Sequence, residues 1–126
     1  YLYHGVLALA KNSKNRIVCV GNSSSGIKET PIFGCPTVNI GSRQKGRLRG
    51  QNVIDVDYKK EPIIDAVISC IDDKNVRKKC LDTDNPYYIG DAGKKIAEVL
   101  SDIKLDSTLI RKQMMLKGEA KAGWYR

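Results

Sequence analysis

The sequence predicts an α/β fold with a parallel sheet. Three observations carry that expectation. Ile17-Val-Cys-Val20, Thr37-Val-Asn-Ile40 and Val53-Ile-Asp-Val56 are short apolar or β-branched runs, and Gly21 and Gly41 close the first two. The first run is continuously apolar, as suits a strand buried on both faces of a parallel sheet. Helical periodicity occupies the intervals between and after the runs, and strands alternating with helices form parallel sheets.

The elements follow in order. Residues 1–13 read as a helix with Leu2, Val6, Leu9 and Ala10 on one face. After the first strand come Asn22 and three serines, then a helix from about Gly26 to Phe33. Gly34 is placed to end it, and Pro36 forbids its continuation. The second and third strands flank a basic loop. Pro62 opens a helix at the favoured first position, with Ile63, Ile64, Val67, Ile68 and Ile71 at helical spacing. A short helix follows from Val76 to Cys80. Asn85 to Gly90 reads as a loop, and Asp91 as the cap of a helix whose apolar face is Ala92, Ile96, Val99, Leu100 and Ile103. Residues 106–117 read as one more helix, and Gly118 to Arg126 as a weakly structured end. The expected division is 1–105 for a nucleotide-binding α/β portion and 106–126 for a terminal helix and basic tail.

At 126 residues, 41% hydrophobic and 29% charged, the chain has the composition of a globular protein with a modest core. Three strands are few for a parallel sheet, and the chain begins at Tyr1. It is therefore read as a fragment whose sheet is incomplete at the 17–20 edge. No apolar run reaches the roughly 20 residues of a membrane helix, and Val6–Ala10 lacks the pattern of a signal peptide, so no membrane partner is expected. The four cysteines form no Cys-x-x-Cys pair and the one histidine is His4. No metal and no cofactor are expected, and the thiols read as reduced, which places the protein in the cytoplasm. The net charge of +8 is concentrated in two patches, Arg43–Arg49 and Arg111–Arg126, each carrying four net positive charges.

The segment Gly21-Asn-Ser-Ser-Ser-Gly-Ile-Lys-Glu29 carries the functional signal. A buried strand feeding a small-residue loop and then a helix presents unpaired amides and a positive dipole end to an anion. In open α/β sheets such loops lie at the ligand-binding edge. The serine hydroxyls add donors, and Glu29, about one turn on, can accept two hydrogen bonds from a ribose diol. There is no Walker lysine and no Gly-x-Gly-x-x-Gly. Locally, the same residues fit a simple helix cap with a dipole-complementing acid equally well.

The longer pattern is more specific. Gly21 to Pro31, then Phe33-Gly-Cys-Pro-Thr-Val-Asn-Ile-Gly41 and Arg43-Gln-Lys-Gly-Arg47, resembles the C-terminal half of UDP-N-acetylglucosamine 2-epimerases, with the hydrolysing, N-acetylmannosamine-forming branch the nearer. The resemblance runs from about Leu7 to Leu100. It implies a partial Rossmann-like domain, the C-terminal half of a glycosyltransferase-B type fold, with UDP-sugar in the cleft against an N-terminal domain. It implies diphosphate contacts for Ser23 and Ser24, a ribose contact for Glu29, and a place near the phosphates or sugar for Arg43. It implies UDP elimination to a 2-acetamidoglucal followed by hydration, in sialic acid biosynthesis or a related route. The acid and base carboxylates belong to the N-terminal domain, so no catalytic residue is assigned here and the chain alone is expected to be inactive. A homo-oligomer is expected for the full-length enzyme. One departure stands out: the family's Asn-Pro-Tyr-Gly-Asp-Gly is here Asn85-Pro-Tyr-Tyr-Ile-Gly-Asp-Ala92, so that loop receives no ligand role.

Two other readings remain. A nucleic-acid module would use the Arg43–Arg49 loop and the tail, but one Trp and one Phe provide few stacking platforms. A non-catalytic remnant would retain nucleotide binding alone.

Overall fold

The computed structural model describes residues 2–12 and 14–104. The expected helix at 106–117 and the basic tail lie outside them. The described residues fall in two units, divided between Tyr87 and Tyr88.

The first unit is an α/β unit of partial Rossmann-like form. Its strands, β1 (Cys19–Gly21), β2 (Thr37–Ile40) and β3 (Val53–Val56), form one parallel sheet in the order β1-β2-β3. Val20 pairs with Val38, and Val38 with Ile54. α1 (Leu2–Ala8) precedes the sheet, α2 (Ser25–Lys28) connects β1 to β2, a loop joins β2 to β3, and α3 (Lys60–Asp72) and α4 (Lys74–Leu81) follow β3.

Side chains alternate across β2, as a period of two requires. Val38 and Ile40 join Ile54, Val56, Ala66, Cys70 and Val76 in a cluster beneath α3 and α4. Thr37 faces the other way, towards α2. A Cβ at Gly26 would lie 3.1 Å from Thr37 Cγ2 and 3.6 Å from Cys19 Sγ, so the missing side chain lets α2 approach the sheet closely. A second cluster on Leu7, Ala10 and Cys35, with Ile17, Cys19 and Phe33, holds α1.

Several expectations are corrected. Leu7 and Ala10 are the buried residues of the first helical segment, whereas Leu2, Val6 and Leu9 are exposed. The α-helix stops at Ala8 and tightens into a 3₁₀ turn, Leu9–Lys11, which turns Ala10 inward. β1 starts at Cys19, and as an edge strand it leaves Val20 half exposed rather than buried on both faces. The 26–33 helix is two pieces, α2 and a 3₁₀ turn at Thr30–Phe33. Pro31 lacks the N–H needed by an α-helix and its ring would clash with the Ile27 carbonyl. Gly34 ends this turn in the left-handed region (φ 59°), as expected.

α3 begins at Lys60, so Pro62 is its third residue, still within the turn whose amides have no helical partner. Its buried stripe is Ala66 and Cys70, while Ile64 and Ile68 face outward. α4 is capped by Asp73, whose carboxylate accepts from the amides of Asn75 (2.7 Å) and Val76 (3.3 Å). In the second unit, α5 (Ala92–Asp102) is amphipathic but buries none of its residues. Asp91 stands at its N-cap in the left-handed region and its side chain makes no capping bond. Lys95 instead holds the helix start by donating Nζ to the Ile89 carbonyl at 3.0 Å.

No described helix is long and apolar enough to cross a membrane. Among the described residues, no group of three or more His, Cys, Asp or Glu side chains is arranged to hold a metal ion.

Candidate nucleotide site

The serine loop leaves the carboxyl end of β1 at Gly21, whose φ of 148° lies where L side chains rarely go. Ser23 and Ser25 hydroxyls lie 3.0 Å apart, and Ser25 N–H points to Ser23 Oγ at 3.4 Å. Ser24 occupies the N-cap with helical backbone angles, and its side chain makes no capping bond. The simple cap reading therefore does not describe Ser24. The amides of Gly26 and Ile27 donate to the Ser23 and Ser24 carbonyls in tight three-residue turns. Donation to an anion thus falls on the hydroxyls and the earlier loop amides, not on the body of α2.

Glu29 stands at the break between α2 and the 3₁₀ turn. Its Oε2 lies 2.7 Å from His4 Nε2, both side chains being partly exposed. His4 in turn stacks at 5.6 Å from the Phe33 ring and 5.7 Å from Tyr3. Burial pushes the Tyr3 phenol above its usual range, opposed by a hydrogen bond to Ser25. Residues of α1 thus reach the serine loop. Sequence reading missed His4 as Glu29's partner because nothing local links residues 25 apart. The signal available was that His4 is the one histidine, on a helix preceding the strand that feeds the loop.

Arg43 comes from the loop after β2 and folds back to β1. Its Nη1 donates to the Asn22 carbonyl at 3.1 Å, and Gln44 Nε2 donates to the same oxygen at 2.6 Å. The structure thus ties Arg43 to Asn22, the residue before Ser23 and Ser24. Glu29 lies at the other end of α2. Sequence reading also missed Gln44 and Arg49, which are 1% and 4% exposed. Arg49 pairs with Asp55, and Asn39 Nδ2 donates to the same carboxylate at 2.7 Å.

Beside this pair, at the carboxyl ends of β2 and β3, is a cavity of about 480 Å³. Its lining includes Gly41, Ser42, Lys45, Asp57 and Tyr58. Gly41 has a φ of 75°, a conformation that favours glycine, and the Tyr58 ring lies over it in the space a Cβ would take.

The serine hydroxyls and the exposed Arg43 guanidinium thus gather about the loop that leaves β1, with the Glu29 carboxylate at the far end of α2. Comparison with known proteins gives this arrangement a lineage. The UDP-N-acetylglucosamine 2-epimerase family matches residues 3–101. The chain belongs to that family. The chain is 39% identical over 83 residues to the Escherichia coli polysialic acid biosynthesis protein P7, covering 66% of this chain and 21% of that protein. It is 59% identical over 49 residues to a hydrolyzing GDP/UDP-N,N'-diacetylbacillosamine 2-epimerase of Campylobacter jejuni, covering 39% and 12%. It is 35% identical over 98 residues to a hydrolyzing UDP-N,N'-diacetylbacillosamine 2-epimerase of Legionella pneumophila, covering 78% and 25%. The chain spans a quarter or less of the length of these relatives.

Proposed function

We propose that this chain is the UDP-binding portion of a hydrolysing 2-epimerase acting on a UDP-N-acetylhexosamine. The observation that carries the reading is the return of Arg43 to Asn22, which sets a guanidinium beside the serine loop at the carboxyl end of β1. Ser23, Ser24 and Arg43 receive the diphosphate, and Glu29 accepts the ribose hydroxyls through the oxygen that His4 does not engage. Two of the relatives are named as hydrolyzing enzymes and a third as a polysialic acid biosynthesis protein, which favours the hydrolysing branch and a role in making an acidic nonulosonate sugar.

In this reading the C1–O bond to UDP breaks as the C2 proton leaves, giving a 2-acetamidoglucal. Water then adds across the double bond with the opposite configuration at C2. The described chain contributes to the first half. Positive charge and fixed donors stabilise the negative charge that develops on departing UDP, and such preorganised stabilisation is a large term in enzyme catalysis. The acid and base act from an N-terminal domain of the same enzyme, and the reaction takes place in the cytoplasm. A homo-oligomer completes the proposal. A nucleic-acid face is less favoured, because Arg49 is buried on Asp55 and Arg43, though exposed, is engaged by the Asn22 carbonyl.

Calorimetry with UDP on the full-length protein tests the site. Ser24→Ala and Glu29→Gln should each weaken binding by about tenfold, the size of one hydrogen bond to a charged group. Unchanged affinity in both variants would remove these residues from the site.

A further inference from the structure

The loop joining β2 to β3 carries four cations between residues 43 and 49, yet they do not act as one patch. Arg49 is turned inward, and all three guanidinium nitrogens are used within the protein. Nε donates to the Arg47 carbonyl at 3.2 Å, Nη2 to the Gln44 carbonyl at 2.8 Å, and Nη1 to Asp55 on β3. Asp55 is itself held by Asn39 on β2. A series of fixed groups therefore runs out of the sheet and into the loop. Gln44 ends the series. Its backbone is held by Arg49, and its buried side-chain amide donates to the Asn22 carbonyl.

Arg43 donates to that same carbonyl, and an oxygen with two lone pairs accommodates both donors. The two are not equivalent. Gln44 is neutral, buried and 2.6 Å away; Arg43 is charged, exposed and 3.1 Å away. An anion at the serine loop can take the Arg43 guanidinium in a charge-assisted bond, while Gln44 keeps the Asn22 carbonyl satisfied. Without Gln44 in place, that exchange leaves the exposed Asn22 carbonyl to water and the start of the serine loop without a side chain to hold it.

We propose that Arg49 is a positioning residue of the anion site: anchored on Asp55, it holds Gln44 against Asn22 and so frees Arg43 for the diphosphate of a nucleotide. This rests on the nucleotide reading above and adds a division of labour within the loop. Arg49 touches no ligand itself. Its planar fork is what the three bonds require, and a lysine, with the same charge on one nitrogen, cannot make them together.

The test uses the full-length protein, titrated with UDP and with uridine. The variants are Arg49→Lys, Gln44→Met and the double variant Arg49→Met/Asp55→Leu. The last replaces a buried ion pair with apolar side chains, an exchange that folds commonly tolerate. UDP affinity should fall about tenfold in each, while uridine affinity stays within about twofold of the unaltered protein. Equal losses for the two ligands would indicate a general structural role and overturn the proposal, as would full UDP affinity in folded Arg49→Lys. Hydrogen exchange on the same samples should quicken over 21–29 and 41–50 and not over β2 and β3. Unchanged exchange in Arg49→Lys also overturns it. If the unaltered protein binds neither UDP nor uridine, the nucleotide reading fails by itself, and exchange still decides whether Arg49 clamps the loop.

Discussion

Four free thiols occupy the interior of the first unit, and their environment sets how they respond to pH. Cys35, Cys70 and Cys80 are buried and Cys19 partly so. Burial pushes Cys35 and Cys70 from 9.0 up to about 11, and Cys80 up to about 12. Thiolate is the reactive form, so these cysteines are inert packing groups at neutral pH. The raised values also link to stability. Above about pH 9 the unfolded chain loses thiol protons that the folded chain retains, so ∂ΔG/∂pH of unfolding is negative. The stabilisation is complete below pH 9 and disappears as the pH passes through about 11 to 12. Urea midpoints measured from pH 8 to 11 should therefore fall, and Cys80→Ala should lower the slope of that fall relative to the parent protein. An identical slope in the variant would exclude Cys80 as a contributor.

At the scale of elements, the break between α2 and its 3₁₀ turn is held by one buried hydroxyl. Thr30 Oγ1 donates to the Gly26 carbonyl at 2.7 Å and accepts from Thr37 Oγ1 at 2.9 Å and Asn52 Nδ2 at 3.0 Å. Asn52 Nδ2 also reaches the Cys35 carbonyl at 2.8 Å. One side chain thus ties α2, β2 and the turn before β3 together. Thr30→Val keeps the shape and deletes all three bonds, leaving buried polar groups unpaired. It should cost about 2–3 kcal/mol in urea unfolding, with the m-value unchanged. A loss below about 0.5 kcal/mol would mean that water or a side-chain shift replaces the network. This element also shows what the sequence discloses. Strands β2 and β3 were legible to the residue because β-branched runs bounded by turns have few alternatives. Pro31 announced the helix break, which the serine-to-Phe33 periodicity masked. The Thr30 network was not legible, since a threonine in a helical window gives no sign of which distant groups it meets. The inward faces of α1 and α3 were misjudged for a related reason: apolar residues outnumber the buried positions, and only neighbouring elements select among them.

For the chain as a whole, charge separates the leading functional reading from its rival. The excess of +8 and the basic loop are plain in the sequence, but their use is not, because a sequence does not show which cations point inward. The long serine-loop motif made the family legible; the clamp beneath Arg43 needed three dimensions, joining Asn22, Gln44, Arg49 and Asp55 across more than thirty residues. Its consequence is measurable. Nucleic-acid binding through four loop cations would release about four counterions, giving a slope of about −3 to −4 in log affinity against log salt. Arg49 is already neutralised by Asp55, and UDP recognition shares its work among hydroxyls, Glu29 and Arg43. UDP affinity of the full-length protein between about 50 and 200 mM salt should therefore follow a slope shallower than about −2. A single-stranded oligonucleotide should not displace UDP over that range. A slope of about −3 or steeper, together with displacement by the oligonucleotide, would transfer the basic loop from nucleotide-sugar binding to a nucleic-acid face.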